Sequence, residues 1–395
     1  MSVYYNGKGQ EIKTDLSASE IVKVITQGCP TFFITSDTAY ADVTKENKSK
    51  GVCKFVSGGG VKFELPVQFK LQGNSSLVYP KHNFNITFYA DDTYEDKQKI
   101  QFDGWYPANK YVIKANYSDR SWCNNSVGGK ITHDFVGKNY PLGARGMIDS
   151  FPCIVVYNGE WMGCHTMNLY QDGKLFNFSK KKEQAHIHEA WRNDQYNSFT
   201  PETWEYRGDE EDTATTDLVA VPLGMMNSPS SLTKEDIESV FNKDSLLNYM
   251  VMADILYAVD RFQNNTTLVT WDGGASWYLP FYDLDQITPT ATNSLIAAGN
   301  PALVTDFFNK VTELYADEYP VYYAKFRDGG LNADVLYQYY EDFAMKWGYQ
   351  NFDADHELWF PDEAYNGLKA KLDGVKAGFV NRQSVLDELY GYNVS

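Results

Sequence analysis

Apolar and polar residues alternate with a period of two from residue 52 to residue 88, the spacing of strands with one buried face. The runs Val61–Leu65 and Asn85–Phe88 show the alternation most clearly, and Cys29–Thr35 is a further β-prone run. The three glycines at positions 58–60 separate two runs and predict a loose hairpin turn. This part of the chain is therefore predicted to be rich in strands.

Two further hairpins are predicted by turn residues placed between apolar runs. The first joins Phe151–Tyr157 to Trp161–Leu169 through Asn158-Gly159. Asn-Gly between such runs is a strong short-range hairpin signal. The second joins residues 267–271 to residues 277–282 through Asp272-Gly-Gly.

Helical patterns dominate the chain after residue 232. The run from Asp244 to Ala258 is almost wholly apolar, which predicts a buried helix. Another helix is expected to open at Thr233, and a short helix at residues 20–27 is expected after the capping sequence Ser17-Ala-Ser-Glu20. Later helices are predicted near residues 303–327, 331–347, 361–378 and 381–390.

These patterns predict an α+β fold with a β-rich N-terminal lobe and an α-rich C-terminal lobe. The predicted segments are an N-terminal extension (1–55), the β-rich lobe (56–172), a polar insertion or interlobe segment (173–232) and the α-rich lobe with the second hairpin (233–395). A ligand cleft between two such lobes is the default expectation.

Candidate catalytic and metal-binding residues flank the second predicted hairpin. Asp260 and Asn265 precede it and Asp283 follows it. Protein kinases use D-x-x-x-x-N, a short hairpin and a second Asp, which orient the attacking hydroxyl and hold Mg²⁺. The alternative is that Asp and Asn simply cap turns at the mouth of a hairpin. Ala258-Val259 stand where a protein kinase has His-Arg.

A second candidate site lies in the loop after residue 71. Gly73, Ser75 and Ser76 are small residues whose backbone amides can approach phosphate oxygens. Lys81 follows and can reach the same oxygens as a point charge. A polar loop between strands, without any ligand, explains the same residues.

Composition excludes some classes of function. The 395 residues carry a net charge of −17, so nucleic acid and anionic membranes are not expected as partners. The sequence has no run of eighteen apolar residues and no recognisable signal peptide, which predicts synthesis in the cytoplasm without a membrane span. Five scattered cysteines and six histidines show no zinc spacing.

Four stretches, in order along the chain, resemble the CotH family of atypical, spore-coat-type kinases and especially its members from tailed bacteriophages. They are Gln72–Phe84 (QGNSSLVYPKHNF), Ile113–Asn125, Val155–Gly163 (VVYNGEWMG) and Asp260–Asp285. One departure is that relatives often carry lysine where this chain has His82. Leu284-Asp285 also replace the Phe-Gly that follows the second Asp of protein kinases.

The resemblance implies a kinase-like two-lobed fold that binds ATP and Mg²⁺, or another divalent cation, and phosphorylates Ser or Thr of coat proteins. Asp260 would be the catalytic residue, and Lys81 would bind phosphate beside Gly73, Ser75 and Ser76. Asn265 and Asp283 would bind the metal, with Asp285 as an additional or alternative ligand.

Two functions from different classes follow from these observations. The first is an active kinase acting on a coat or virion protein, or on itself. The second is a catalytically silent, kinase-like structural or attachment component of a phage particle, since fold does not determine function. A carbohydrate-binding surface built on the abundant Trp and Tyr residues is a third, weaker alternative.

Overall fold

The structure is a computed structural model that describes residues 4–5, 11–12, 20–119, 121, 123–178, 185–189, 204–206, 214–258, 265–287 and 305–393. The chain forms two compact units. Unit 1 consists of residues 1–126, 149–170 and 341–371, and unit 2 consists of residues 127–148, 171–340 and 372–395.

The described strands are β1 (Tyr4–Tyr5), β2 (Glu11–Ile12), β3 (Val22–Val24), β4 (Thr31–Ser36), β5 (Ser49–Ser57), β6 (Gly60–Leu71), β7 (Phe84–Phe88), β8 (Ile100–Phe102), β9 (Lys110–Lys114), β10 (Ser150–Tyr157), β11 (Glu160–Leu169), β12 (Ala185–Glu189), β13 (Trp204–Tyr206) and β14 (Thr267–Thr270). The described helices are α1 (Asn124–Phe135), α2 (Ala214–Asn227), α3 (Lys234–Glu238), α4 (Lys243–Leu256), α5 (Asp306–Leu314), α6 (Tyr319–Asp328), α7 (Ala333–Ala344), α8 (Tyr349–Trp359) and α9 (Gly367–Tyr390).

Unit 1 is built on a closed seven-stranded barrel in the order β10-β11-β9-β7-β6-β5-β4. Neighbouring strands are antiparallel except at the closing seam, where β10 and β4 are parallel and Ile154 pairs with Thr31. Closure leaves no strand of the barrel with an unpaired edge. The predicted glycine turn joins β5 to β6, and the predicted Asn-Gly hairpin is β10–β11.

The period-two pattern fills the inside of this barrel. Along β6 the buried residues alternate with partly exposed ones. Aromatic rings then meet in the interior, where the centroids of Phe32 and Phe55 lie 4.6 Å apart and those of Phe102 and Phe151 lie 5.2 Å apart. Sequence alternation and the aromatic content together therefore produce the core of unit 1.

Helix α8 covers the β10–β11 hairpin, which explains why these two strands are apolar on both faces. The indole Nε1 of Trp347, just before α8, donates to the carbonyl oxygens of Cys153 and His165 at 3.0 and 3.2 Å. Trp359 Nε1, at the end of α8, donates to the Met162 carbonyl oxygen at 3.1 Å. These bonds attach a C-terminal helix to strands that lie about 190 residues earlier in the chain.

Unit 2 contains α4 at its centre and a small sheet in the order β13-β12-β14. Eleven of the fourteen residues of α4 are buried, as the apolar run predicts. Helix α3 opens with a capping box between Thr233 and Asp236, which confirms the predicted start at Thr233.

Some predicted elements are wrong. Residues 20–27 form no helix; they contain β3, which pairs in parallel with β8. The β-branched residues Ile21, Val22, Val24 and Ile25 favour an extended chain, and the capping residues 17–19 lie outside the described residues.

Other differences concern the second half of the chain. The predicted break between helices at 361–378 and 381–390 is absent, because α9 runs without interruption from Gly367 to Tyr390. Helix α8 was not predicted. The polar segment 173–232 contains β12, β13 and α2 within its described part.

The described chain is a mixed α+β protein, with a strand-rich N-terminal region and a helical C-terminal region. The predicted domain boundaries and the two-lobed arrangement stay predictions, and strands β4 and β5 are part of the barrel. No helix in the described ranges combines the length and apolar character needed to cross a membrane.

Candidate functional site

Helix α4 carries the chain to the stretch that contains the predicted catalytic residues. It begins at Asn242, whose side-chain oxygen accepts a hydrogen bond from the Ser245 amide at 2.9 Å. It ends at Tyr257, which adopts the left-handed conformation with φ 49°. Asp260 follows three positions later and lies outside the described residues.

The second predicted hairpin is present but short. Val269 and Tyr278 exchange backbone hydrogen bonds of 3.0 and 2.8 Å, and the strand β14 ends one residue after Val269. The returning limb is held at Trp277, whose amide donates to the Val240 carbonyl and whose carbonyl accepts from the Asn242 amide, both at 2.8 Å. The hairpin is therefore fixed to the residues that precede α4.

The turn of this hairpin is built by Asp272. Its carboxylate accepts from the Thr270 hydroxyl at 2.8 Å and from the Ser276 amide at 3.0 Å. The two glycines that follow Asp272 have φ of 72° and 81°, a region that glycine adopts without steric cost. Asp272 therefore has a structural role at the closed end of the hairpin.

The open end of the hairpin is drawn together by a second pair. Ala258, just after α4, forms an isolated antiparallel bridge with Ile287. Asp260 follows Ala258 by two residues and Asp285 precedes Ile287 by two residues. The fold thus brings together the two ends of the stretch in which the sequence places its catalytic and metal-binding residues.

Asn265 and Asp283 both have left-handed backbone conformations, with φ of 60° and 55°. Residues with side chains adopt this region rarely, and such positions are often found at functional sites. Asn265 precedes β14 by two residues and Asp283 follows Tyr278 by five residues, so one lies on each limb at the open end of the hairpin.

The donor atoms suit a hard divalent cation. Amide and carboxylate oxygens, as supplied by Asn265, Asp283 and Asp285, are the ligands that Mg²⁺ and Ca²⁺ take. Among the described residues, no group of three or more His, Cys, Asp or Glu side chains is placed to hold a metal ion. Asp260 lies outside the described ranges.

Leu284, between the two predicted metal-binding aspartates, is anchored against α1. It is 2% exposed and packs where α1 carries Gly128 instead of a residue with a side chain. A Cβ added at Gly128 would lie 2.6 Å from Ile287 Cδ1 and 3.0 Å from Leu284 Cβ. The absence of a side chain at position 128 therefore allows the 283–287 segment to lie directly on the helix.

We expect Gly128→Ala to displace this segment, whereas Gly129→Ala should leave it in place. A Cβ at Gly129 would meet its nearest atoms at 3.5 Å, which is ordinary contact. Both changes raise helix propensity by about 1 kcal/mol, so they match in local stability. A displacement near 1 Å can cost about 100-fold in rate. Phosphate-transfer rates of the two purified variants test this, and equal rates would contradict it.

The predicted phosphate loop lies in unit 1. Gly73 has φ of 115°, and a Cβ there would lie 2.0 Å from Ser76 Oγ, so glycine is required by both conformation and space. The Ser76 hydroxyl also accepts from Asn83 Nδ2 at 3.2 Å, and residues 75–78 form a short 3-10 helix. The ammonium group of Lys45 bonds to the Asn74 side chain beside this turn. The loop is thus compact and internally bonded, with a lysine at its edge.

Lys81 lies in a buried ion pair. Its side chain is 0% exposed, and Nζ donates to Asp355 Oδ1 at 2.7 Å and to the Cys164 carbonyl at 2.6 Å. Asp355 Oδ1 also accepts from the Cys164 amide at 2.6 Å. Burial raises the pKa of the Asp355 carboxyl, and the Lys81 charge opposes that rise. Whether Lys81 also binds phosphate stays a prediction.

The neighbouring residues fit closely around this pair. Gly163 has φ of 85°, and a Cβ there would lie 1.8 Å from Asp355 Oδ1. His82, the next residue after Lys81, points elsewhere: its ring stacks on Tyr40 with centroids 4.7 Å apart. Asp355 is not among the predicted site residues, because its separation of 274 residues from Lys81 leaves no local signal in the sequence.

A cavity of about 660 Å³ lies in unit 2, between the end of α1 and the start of α4. Lys138 and Lys325 line it, as does Asp244, which binds the hydroxyl of Tyr322. Asn265, Asp283 and Asp285 are not among its lining residues. The cavity is therefore separate from the predicted metal-binding segment.

Comparisons with known proteins agree with the motifs. A family model described as CotH kinase protein matches residues 69–301, which is more than half of the chain. A search of curated proteins found no match. The matched region includes every predicted site residue, from Gly73 to Asp285, but neither Asp355 nor the first two strands of the barrel. The chain belongs to the CotH kinase family and is a kinase-like protein.

Proposed function

We propose that this protein is a kinase that transfers the γ-phosphate of ATP, with Mg²⁺ or another divalent cation, to Ser or Thr of a coat or virion protein or of itself. Membership of the family indicates nucleotide and divalent metal use in general. The observation that carries the proposal is the Ala258–Ile287 bridge, which joins the two ends of the D-x-x-x-x-N…D-x-D stretch.

The assigned roles follow from the chemistry of phosphate transfer. The Asp260 carboxylate would accept the proton of the attacking hydroxyl while the new O–P bond forms and the bond between the β- and γ-phosphates breaks, releasing ADP. Asn265, Asp283 and Asp285 would hold the divalent cation, which neutralises phosphate charge when bound. Two residues extend about 7 Å at most, so Asp285 stays near the Ala258–Ile287 pair.

The residues proposed to contact the nucleotide phosphates are Gly73, Ser75, Ser76 and Lys81. Gly73 and Ser76 meet in a tight turn, and small residues permit close approach of phosphate oxygens. Ser75 belongs to the same turn, and its side chain is not among those described. Lys81 keeps its predicted role in this proposal and is the residue for which that role most needs a test.

One observation favours the alternative of a catalytically silent component of a phage particle. The Lys81 ammonium is fully buried and bonded to protein groups, as expected for a lysine that stabilises a scaffold. Under this alternative the protein binds neither ATP nor a divalent cation with useful affinity. It would instead be a stoichiometric part of a particle.

The wild-type protein is expected to transfer label from γ-labelled ATP to itself or to an added Ser/Thr protein, in the presence of Mg²⁺. ATP with Mg²⁺ should also raise its melting temperature, because a ligand at 100 times its Kd stabilises by about 2.7 kcal/mol. ATP with a chelator is the control. Absence of both label and thermal shift would refute the kinase proposal and favour the structural alternative.

A further inference from the structure

The C-terminal end of α4 is held by a buried arginine from α9, outside the region that the family model matches. Arg382 is 1% exposed. Its Nε donates to the backbone carbonyl oxygen of Asp254 at 2.8 Å, and its Nη2 donates to the carboxylate Oδ1 of Asp254 at 3.2 Å. Tyr390, also on α9, donates its hydroxyl to the other carboxylate oxygen at 3.4 Å.

These contacts lie in the last turn of α4, where the Asp254 carbonyl also accepts from the Tyr257 amide at 3.2 Å and Arg382 adds a second donor. The last four carbonyls of a helix have no partner within the helix, and a cation near them is favoured by the helix dipole. Arg382 supplies both a donor and a positive charge to that end. Its guanidinium also lies 4.9 Å from the ring centroid of Tyr257, the left-handed residue that ends the helix.

The residues that follow are the ones assigned to catalysis. Tyr257 is followed directly by Ala258, which pairs with Ile287, and Asp260 and Asp285 each lie two residues from that pair. Any shift at the end of α4 is therefore passed through only a few bonds to the Ala258–Ile287 pair, and Asp285 lies two residues from that pair. We propose that Arg382 is a positioning residue that holds the end of α4 and thereby sets the placement of the Ala258–Ile287 pair and of the Asp285 segment. This inference rests on the proposed kinase function.

The chain offers a matched control in a second buried arginine, which ties α9 to a different helix. Arg327, on α6, pairs with Asp387 of α9 at 3.2 Å and is also well buried, with 8% of its side chain exposed. This ion pair joins α9 to α6 and not to the end of α4. Loss of either arginine removes a buried ion pair that ties α9 to another helix, but only the loss of Arg382 releases the end of α4.

The experiment compares Arg382→Met, Arg382→Lys and Arg327→Met in the full chain. We expect Arg382→Met to lower kcat by about 10- to 100-fold, because small misplacements of catalytic groups are costly. Arg382→Lys should recover only part of the rate. Lysine keeps the positive charge but lacks the planar guanidinium group that binds the carbonyl and the carboxylate together. Arg327→Met should change kcat by less than about 3-fold. Equal losses of rate in Arg382→Met and Arg327→Met would overturn the proposal.

A double variant separates positioning from stability. In Asp254→Leu/Arg382→Met both charges are replaced by apolar groups, which often preserves or improves the stability of a protein with a buried pair. We expect the melting temperature to recover relative to Arg382→Met while kcat stays low. Recovery of kcat together with the melting temperature would show that Arg382 acts through stability alone, and would overturn the proposal.

Hydrogen exchange without nucleotide gives a measurement that does not depend on activity. Amides of residues 257–266 should exchange faster in Arg382→Met than in Arg327→Met. If wild-type protein transfers no phosphate but this difference is present, the kinase proposal fails and the positioning of the segment by Arg382 stands. Equal exchange in the two variants overturns the inference, whatever the activity.

Discussion

Replacement of Asp283 by asparagine is expected to reduce phosphate transfer by about 100- to 1,000-fold, the usual cost of losing one group that stabilises transition-state charge. Asparagine keeps the size of the side chain but removes the negative charge that a divalent cation needs. The left-handed backbone at position 283 also accommodates asparagine. The loss should therefore come from the metal site and not from refolding of the segment.

The matched control is Asp272→Asn in the same hairpin. Asp272 caps the turn at the closed end and has hydrogen bonds to Thr270 and Ser276. Its loss should lower stability slightly and leave the rate within about 3-fold of wild type, well short of the loss predicted for a charge-stabilising group. Rates measured against metal concentration test the assignment, since Asp283→Asn should need more cation. A rate for Asp283→Asn equal to that of Asp272→Asn would contradict it.

Replacement of Lys81 by methionine is expected to lower the free energy of unfolding by about 3–5 kcal/mol, the cost of breaking a buried ion pair by removing one partner. Both side chains are 0% exposed, so solvent does not screen the remaining charge. The variant leaves the Asp355 carboxylate and the Cys164 carbonyl without the lysine. Urea unfolding of the two proteins measures the difference.

Two controls make this result specific. Lys130→Met removes an exposed pair with Asp134 and should cost less than about 1 kcal/mol. In the double variant Lys81→Met/Asp355→Asn neither position carries a charge, and the asparagine side-chain oxygen can still accept a hydrogen bond from the Cys164 amide. We expect it to be more stable than Lys81→Met alone, and strict additivity of the two changes would contradict the ion pair.

The same double variant tests the predicted phosphate contact. If Lys81 binds phosphate, affinity for ATP falls in both Lys81 variants even where stability is recovered. Unchanged affinity in the double variant would restrict Lys81 to its pair with Asp355. Lys45, whose ammonium lies at the edge of the Gly73 turn, would then be the next lysine to examine.

Local patterns predicted the elements that local chemistry decides. Asn158-Gly159 and the glycines after residue 57 marked the hairpins of the barrel, and the apolar run after Asp244 marked the buried helix α4. In each case the residues that predict an element lie in that element or within about twenty residues of it. The left-handed turn residues and the period of two are properties that a sequence displays directly.

Long-range partners could not be predicted in the same way. Helix α8 contains Asp353 and Asp355, two residues apart, and only the fold decides that Asp355 faces Lys81. Likewise, the sequence has two adjacent glycines in α1, and only the structure shows that Gly128, and not Gly129, faces Leu284. These choices depend on packing between distant segments, which alternation and spacing do not encode.

The parallel seam of the barrel also determines when unit 1 can complete its strand pairing during synthesis. Because Thr31 pairs with Ile154, β4 cannot complete its pairing until about 120 more residues have been synthesised, which takes roughly 6–24 s at ribosomal speed. The ion pair of Lys81 forms later still, because Asp355 lies 274 residues further along the chain and their synthesis takes roughly 14–55 s. Unit 1 therefore begins with the first strands to leave the ribosome and is completed only when α8 emerges. A chain truncated after residue 301 would keep the whole region that matches the family model, but it would lack Asp355, the carboxylate that pairs with Lys81.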